Sequence, residues 1–574
     1  MSKTFDLIIR GGTIFDGSGE SAFEGDVAIS GNRIAQIGRV AETGSEEIDA
    51  VGMAVTPGFV DVHTHYDGQV TWEHTLSPSS GHGVSTVVMG NCGVGFAPCR
   101  PAERDMLVRL MEGVEDIPEV VMTAGIPWNW ETFPDYLDAL DRRSFDIDVA
   151  AQLPHSPLRV YVMGERGANR EPPTEDDLER MQALTAEAIR AGAIGVSTSR
   201  SLGHRSKDGS LAPSTTTEES ELAALARGLR DAGGGVFQLL TNNESDPAPE
   251  AALMRRLMEV SGRPLSFTLL QTSWMPEAWR TLLSGVEAAN AAGLPMRGQV
   301  FPRPIGVLFG LDLSLHPFAL HPSFQPLSAL PLKEKVAALR DPEMRRRLLS
   351  EKPVHANPLV QAQAQRLDRM FRFGDPPCYE PDPSDSIAAQ AERRGISAYE
   401  LAYELLLEQD GTALFYNPAT NYVDNNLNVA RRLMTHPSTI VALGDGGAHY
   451  GLICDASYPT YVLTRWMRDA AGDEKWDMAS AVHALAAKPA AAMGFNDRGT
   501  IRLGRKADIN VIDLDRLRLH APRPVYDLPA GGRRLRQQAD GYVANIVSGV
   551  ITYRDGEPTG SLPGRLVRGA VAQG

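Results

Sequence analysis

Eight apolar runs, each followed by a stretch of helical pattern, constrain the fold of this chain more than any other feature. They are FVDVHTHYD, VSTVVMGNCG, DVAAQLPH, GAIGVSTSR, GVFQLLTNN, PLSFTLLQTS, LPMRGQVFPRP and STIVALGDGG. Runs this rich in Val, Ile, Ala and Gly, apolar on both faces, read as parallel strands covered by helices. Intervening stretches such as TEDDLERMQALTAEAIRAG carry helix-start chemistry, with Thr174 placed to cap and Glu175 to Asp177 loading the first turn. Eight β-α alternations predict an α/β fold of the (β/α)8 TIM-barrel type. The spacing is uneven: residues from about 306 to 437 hold extra helical patterns, PLKEKVAALRDPEMRRRLL and SAYELAYELLLEQ among them, and read as a large insertion over the barrel mouth.

Both ends of the chain differ from this middle. Residues 4 to 60 break into short strands joined by hairpin chemistry at Gly11-Gly12 and Gly31-Asn32, and GTIRLGRKADINVIDL and YVANIVSGVITYRDG near the other end have the same character. The expected organisation is a small β-sandwich domain built from residues 1–58 plus 498–574, and a metal-dependent barrel over residues 59–497.

Charge and cysteine usage narrow the partners. Among 574 residues, 56 Lys+Arg stand against 72 Asp+Glu, a net charge of −16 that disfavours nucleic acid or an anionic membrane as the main partner. Cys92, Cys99, Cys378 and Cys454 form no C-x-x-C pair and are too few to staple so long a chain, which points to a reducing compartment. The opening MSKTFDLIIRGGTIFDG has too short an apolar run for a signal-peptide core, and no run approaches the ~18 residues of a membrane span. A cytoplasmic protein acting on a small molecule is expected, with homo-oligomerisation left open.

In a barrel the chemistry lies at the carboxyl ends of the strands. The first run ends in His63-Thr64-His65, and strand alternation sends both imidazoles to one face; two convergent imidazoles are half of a zinc-type site. The second run ends in Asn91-Cys92-Gly93, whose sulfur is either a thiolate ligand or a small buried hydrophobe. The eighth ends in Gly444-Asp445-Gly446, where Asp445 either ligates a metal and takes a proton from its water or caps a turn. His449 stands four residues on, beside the site or at the surface.

Taken together, FVDVHTHYD, GNCGVGFAP, GAIGVSTSR, LGDGGAH and DRGTIRLGRKADINVIDL resemble the amidohydrolase superfamily, and within it the N-acyl-D-amino-acid deacylase (D-aminoacylase) branch, over essentially the whole chain. The resemblance implies the barrel, the split β-sandwich, zinc, and hydrolysis of an amide-like bond. It carries metal ligation onto His63, His65 and Cys92, and both ligation and the catalytic base onto Asp445. The branch also places a His at the end of the fifth strand, in an H-x-R-x-E stretch, and another at the end of the sixth, followed closely by a Lys. Here those stretches read Gln238-Leu-Leu-Thr-Asn-Asn-Glu244 and Leu269-Leu-Gln-Thr-Ser273. One zinc is therefore expected, a second metal stays open, and the D-amino-acid substrate loses its cation. His204, Asn242, Gln271 and His449 are the candidates for supporting or substrate contacts; Glu165 and Arg166 either face the mouth or form an ordinary ion pair.

The reading is a metal-dependent hydrolase of an amide or related C–N bond, in an N-acyl amino acid or a neutral or cyclic amide, with Asp445 as base. Its rivals are a deaminase or a carbamate or ester hydrolase on the same site, and a catalytically silent scaffold, since fold alone does not guarantee activity.

Overall fold

The computed structural model describes residues 4–354 and 358–569. Each of the eight apolar runs contains a strand: Phe59–Asp61, Val84–Met89, Asp148–Ala151 continued by Leu153–Pro154, Gly195–Ser199, Val236–Leu240, Leu265–Thr268, Met296–Val300 and Thr439–Val441. They are called here the first to eighth core strands. Neighbours in this order pair in parallel. The third strand is interrupted at Gln152; its first half pairs with the second strand and its last two residues with the fourth, so it joins a three-stranded to a six-stranded sheet. Past the strand ends, the His65 N–H donates to Gly446 O (2.8 Å) and the Asp445 N–H to His63 O (3.1 Å), linking the segment after the eighth strand to the segment after the first.

Helices Glu175–Ala191, Glu219–Ala232, Pro247–Ser261 and Ala278–Ala291 alternate with the third to seventh strands. The first of them begins as its sequence predicts, the Thr174 hydroxyl accepting from the Asp177 N–H and three acids filling the first turn. Val60, Val62, Val88, Ala150, Ile194, Val236, Ile440 and Ala442 share one apolar cluster with helical Ala490. Strand alternation then turns the residues between them, Asp61 and His63 among them, to the other side.

Strands from both ends of the chain share one nine-stranded sheet. Ile509–Ile512 pairs antiparallel with Ala54–Pro57, stitching the two ends together, and Ile9, Val27, Ile29, Val55, Ile509, Val511 and Ile546 form its core. The 306–437 segment carries a second, separate core around Phe309, Phe318, Phe324, Leu401 and Phe415. Besides the expected helices it holds a three-stranded antiparallel sheet of Gly306–Phe309, Phe371–Phe373 and Leu414–Pro418. Strands of three to five residues are too short for a period-2 pattern to register, so the sequence shows only the helices around them.

At the amino end of the third strand Asp148 is buried among cations. Arg498 Nη1 and Lys506 Nζ each lie 2.6 Å from its Oδ2, and the Arg565 N–H donates to its Oδ1 at 2.9 Å. Asp508 shares Lys506 at 2.9 Å. This network ties the nine-stranded sheet to the base of the parallel strands.

Candidate metal centre

At the opposite, carboxyl end the first core strand delivers His63 and His65, each 2 % exposed. The His63 ring is held from behind: its Nδ1–H donates to Gln299 Oε1 at 2.6 Å, and the Gln299 amide is itself oriented by donating Nε2–H to Ser266 Oγ at 3.0 Å. That leaves the Nε2 lone pair facing Cys92 Sγ (3.4 Å) and Asp445 Oδ1 (3.6 Å). His65 Nε2 stands 3.6 Å from the same Asp445 oxygen, and its Nδ1 lies 3.4 Å from Glu115 Oε1. One ligand atom from each of His63, His65 and Cys92 falls within 4.8 Å of the others.

The two loops that complete the cluster are bent by non-glycine residues in the left-handed region, at Cys92 (φ 56°), Leu443 (φ 72°), Asp445 (φ 48°) and His449 (φ 52°). Each costs about 1–3 kcal/mol and persists only where surrounding contacts hold it. Cys92 is held by its N–H donating to Gln238 Oε1 at 3.1 Å. Gly90, which begins this bend, lies so close to the third strand that a Cβ would come within 2.3 Å of Gln152 O.

Burial dominates the electrostatics. It lowers His63 to about 4 and His65 well below the usual imidazole value, and raises the Cys92 thiol well above its usual value. Asp445 is pushed far above the carboxylate range, by burial first and then by Glu115, Asp455 and Asp61; Glu115 rises to about 8 and Asp61 and Asp67 to about 7. A divalent cation inverts that logic, because it favours the deprotonated form of every one of these donors. Two imidazoles, a thiol and a carboxylate are the donor set that suits zinc.

Of the other residues singled out from sequence, His449 and His204 join the cluster. His449 Nε2 lies 3.4 Å from Glu115 Oε2, with its ring edge toward His65. His204 is lowered to about 4 by burial and then by His449 and His63, and its Nδ1 is buried with no hydrogen-bond partner among the described residues. Asn242 and Gln271 are engaged elsewhere. Asn242 Oδ1 accepts from its own turn, the Glu244 N–H at 3.0 Å, while Gln271 Nε2 donates to Asp424 of the 306–437 segment at 3.1 Å. Arg166 pairs with Asp177 at 3.0 Å, an ordinary ion pair, and Glu165 opens the short helix Glu165–Ala168.

Sequence reading missed Gln238, Gln299, Glu115 and Arg303. The two glutamines had a signal, an amide inside an apolar run. Glu115 had a fainter one, an acid in the last turn of helix Arg104–Glu115, where the macrodipole disfavours it. Arg303, just past the seventh strand, is fully buried; its Nη2 donates to Asp455 Oδ1 at 3.0 Å, and its guanidinium lies 3.6 Å over the Tyr379 ring.

Comparison with known proteins agrees with this architecture. An uncharacterized protein of Mycobacterium tuberculosis is 29 % identical over 593 aligned residues, covering 96 % of this chain and 92 % of its own length. The N-acyl-D-glutamate deacylase of Alcaligenes xylosoxydans xylosoxydans is 27 % identical, with 99 % and 97 % covered. The crystal structure of N-acyl-D-glutamate deacylase from Bordetella bronchiseptica, complexed with zinc and a phosphonate inhibitor, superimposes with a TM-score of 0.64 at 22 % identity, over 99 % of this chain and 100 % of that one. The model of the amidohydrolase family matches residues 46–558, and this chain belongs to that family.

Proposed function

We propose that the protein hydrolyses an amide or related C–N bond of a small molecule, with His63, His65, Asp445 and Cys92 holding one zinc ion. When bound, zinc polarises the scissile carbonyl and brings the pKa of water down to about 7. Asp445 takes the proton from the attacking water as the new C–O bond forms, and returns it to the leaving nitrogen as the C–N bond breaks. Gln299 keeps His63 in the tautomer whose Nε2 is free to ligate. The observation that carries this reading is the meeting of two imidazole Nε2 atoms at 3.6 Å from one Asp445 oxygen, with the Cys92 sulfur beside them.

The same reading takes the parallel core as a (β/α)8 barrel over residues 59–497, with the 306–437 insertion at its mouth and a β-sandwich domain from residues 1–58 plus 498–574. It takes the protein as cytoplasmic; among the described residues no helix is long and apolar enough to cross a membrane. The preferred substrate is a neutral or cyclic amide. The stretch Leu269-Leu-Gln-Thr-Ser273 after the sixth strand offers no cation, so a buried substrate carboxylate there would meet an uncompensated desolvation cost of several kcal/mol. Metal analysis of the purified protein and kcat/KM for N-acyl-D-amino acids against their neutral amide analogues test the proposal. About one tightly held zinc per chain and faster turnover of the neutral set are expected. Efficient turnover of N-acetyl-D-Glu with weak activity on its amide contradicts the substrate assignment, and a protein that takes up no zinc contradicts the site.

A further inference from the structure

Among the described residues Glu115 is a carboxylate with no Lys or Arg within ion-pair distance. It is 1 % exposed and ends helix Arg104–Glu115, at the pole that disfavours negative charge. Among the described residues the groups within ion-pair distance are two histidines, one to each oxygen: His65 Nδ1 at 3.4 Å from Oε1 and His449 Nε2 at 3.4 Å from Oε2. Its main chain joins in, the Glu115 carbonyl accepting from the His449 N–H. The next residue repeats the pattern on the outer side, Asp116 Oδ2 accepting from the Gly451 N–H at 2.9 Å and from Ser314 Oγ at 3.0 Å. Two successive acids therefore clamp the loop that carries Asp445, a loop with left-handed residues at 443, 445 and 449 that would otherwise relax.

We infer that Glu115 is the positioning residue of the metal centre. Glu115 Oε1 lies 3.4 Å from the His65 Nδ1, which is buried and has no hydrogen-bond partner among the described residues, and Oε2 lies 3.4 Å from His449 Nε2, so a single carboxylate is placed to orient both the second imidazole and the loop bearing the base. The inference rests on the zinc reading above and goes further, because nothing in that reading requires an acid behind His65. Ligand histidines whose far nitrogen is held by a carboxylate lose about 10–100-fold in metal affinity when the carboxylate is removed. A residue that merely fills space would tolerate the isosteric amide.

The experiment measures zinc affinity by chelator competition in the parent and in Glu115→Gln, with the visible spectrum of the cobalt(II)-loaded forms as a second readout. The melting temperature of the metal-free proteins serves as the folding control. We expect zinc affinity to fall about 10–100-fold and the cobalt bands to shift, with metal-free melting close to the parent's. Zinc affinity within about threefold of the parent and an unchanged cobalt spectrum overturn the inference while leaving the zinc site standing. A parent that binds neither metal overturns the site reading and the inference with it. Should Glu115→Gln fail to fold, proton NMR of the zinc-loaded parent decides: a strongly downfield imidazole N–H, lost in Glu115→Asp whose shorter carboxylate draws back from His65, supports the role, and an identical imidazole spectrum in Glu115→Asp overturns it.

Discussion

The two ends of the parallel core treat buried carboxylates in opposite ways. At the amino end burial pushes Asp148 up, but the attraction of Lys506 and Arg498 more than offsets it, and its pKa is lowered. At the carboxyl end, burial together with neighbouring acids raises Asp445, Glu115, Asp61 and Asp67. All five lie in the same core, so depth does not explain the contrast. The difference is that the chain supplies its own cations at one end, whereas at the other it assembles imidazoles, a thiol and acids, and among the described residues the ion-pair partners of Asp445 and Glu115 are histidines alone. The amino end is finished as a structural joint, and the carboxyl end is a donor set for a cation.

Breaking the carboxyl end should give the largest effects. Asp445→Asn keeps an oxygen ligand but cannot accept the water's proton. We expect it to retain metal and to lose about 10⁴-fold or more in kcat, the upper end of a general-base contribution; metal analysis beside steady-state kinetics checks this, and a loss of only about tenfold makes Asp445 a ligand alone and moves the search for the base to His449. His63→Ala should instead lose zinc first, its activity tracking metal content and recovering in part when zinc is titrated back. At the amino end Asp148→Ala should take from Arg498 and Lys506 the carboxylate they share, leaving them Asp497 and Asp508 alone, and destabilise the fold by about 3 kcal/mol in chemical denaturation, the low end for a broken buried pair. The folded fraction should still bind its zinc; loss of zinc from it would show that the two ends are not independent. The smallest effect is in pH. Because the native pKa of Asp148 is depressed, its contribution is complete above the ordinary value of about 3.9 and is lost as pH falls through the lower native value. In Asp148→Asn that part of the acid dependence should disappear, and an unchanged denaturation profile between the two proteins across acid pH would remove Asp148 from the account.

How much of this was legible depends on whether the signal was local. Strand alternation alone placed His63 and His65 on one face, and an acid between glycines at the end of STIVALGDGG marked Asp445, because each depends on residues two or three positions away. Cys92 needed the family resemblance to stand out from an ordinary buried thiol. Gln299 and Gln238 were visible as polar breaks in apolar runs, but what they hold, His63 and the Cys92 N–H, lies 236 and 146 positions away. Glu115 sits in MEGVEDIPE, which reads as a solvated helix face until the fold turns it inward against His65. Asn242 and Gln271 show the converse: amides at strand ends read as candidates for supporting or substrate contacts, while Asn242 Oδ1 is held by its own turn and Gln271 Nε2 by Asp424 of the 306–437 segment.

The pairing of Ile509–Ile512 with Ala54–Pro57 also fixes an order of events in time. The residues that follow Ala54–Pro57 are the first core strand and its two histidines, and the strand that holds them in place is made some 450 positions later. At ~5–20 residues per second of synthesis, that strand emerges roughly 20–90 s afterwards. Residue 445 is itself made late, so for most of its synthesis the nascent chain carries two histidines with neither their carboxylate nor the sheet edge that fixes their strand. Ligand geometry is thus a property of the finished chain, and any ion met before then binds an open pair of imidazoles rather than the assembled centre.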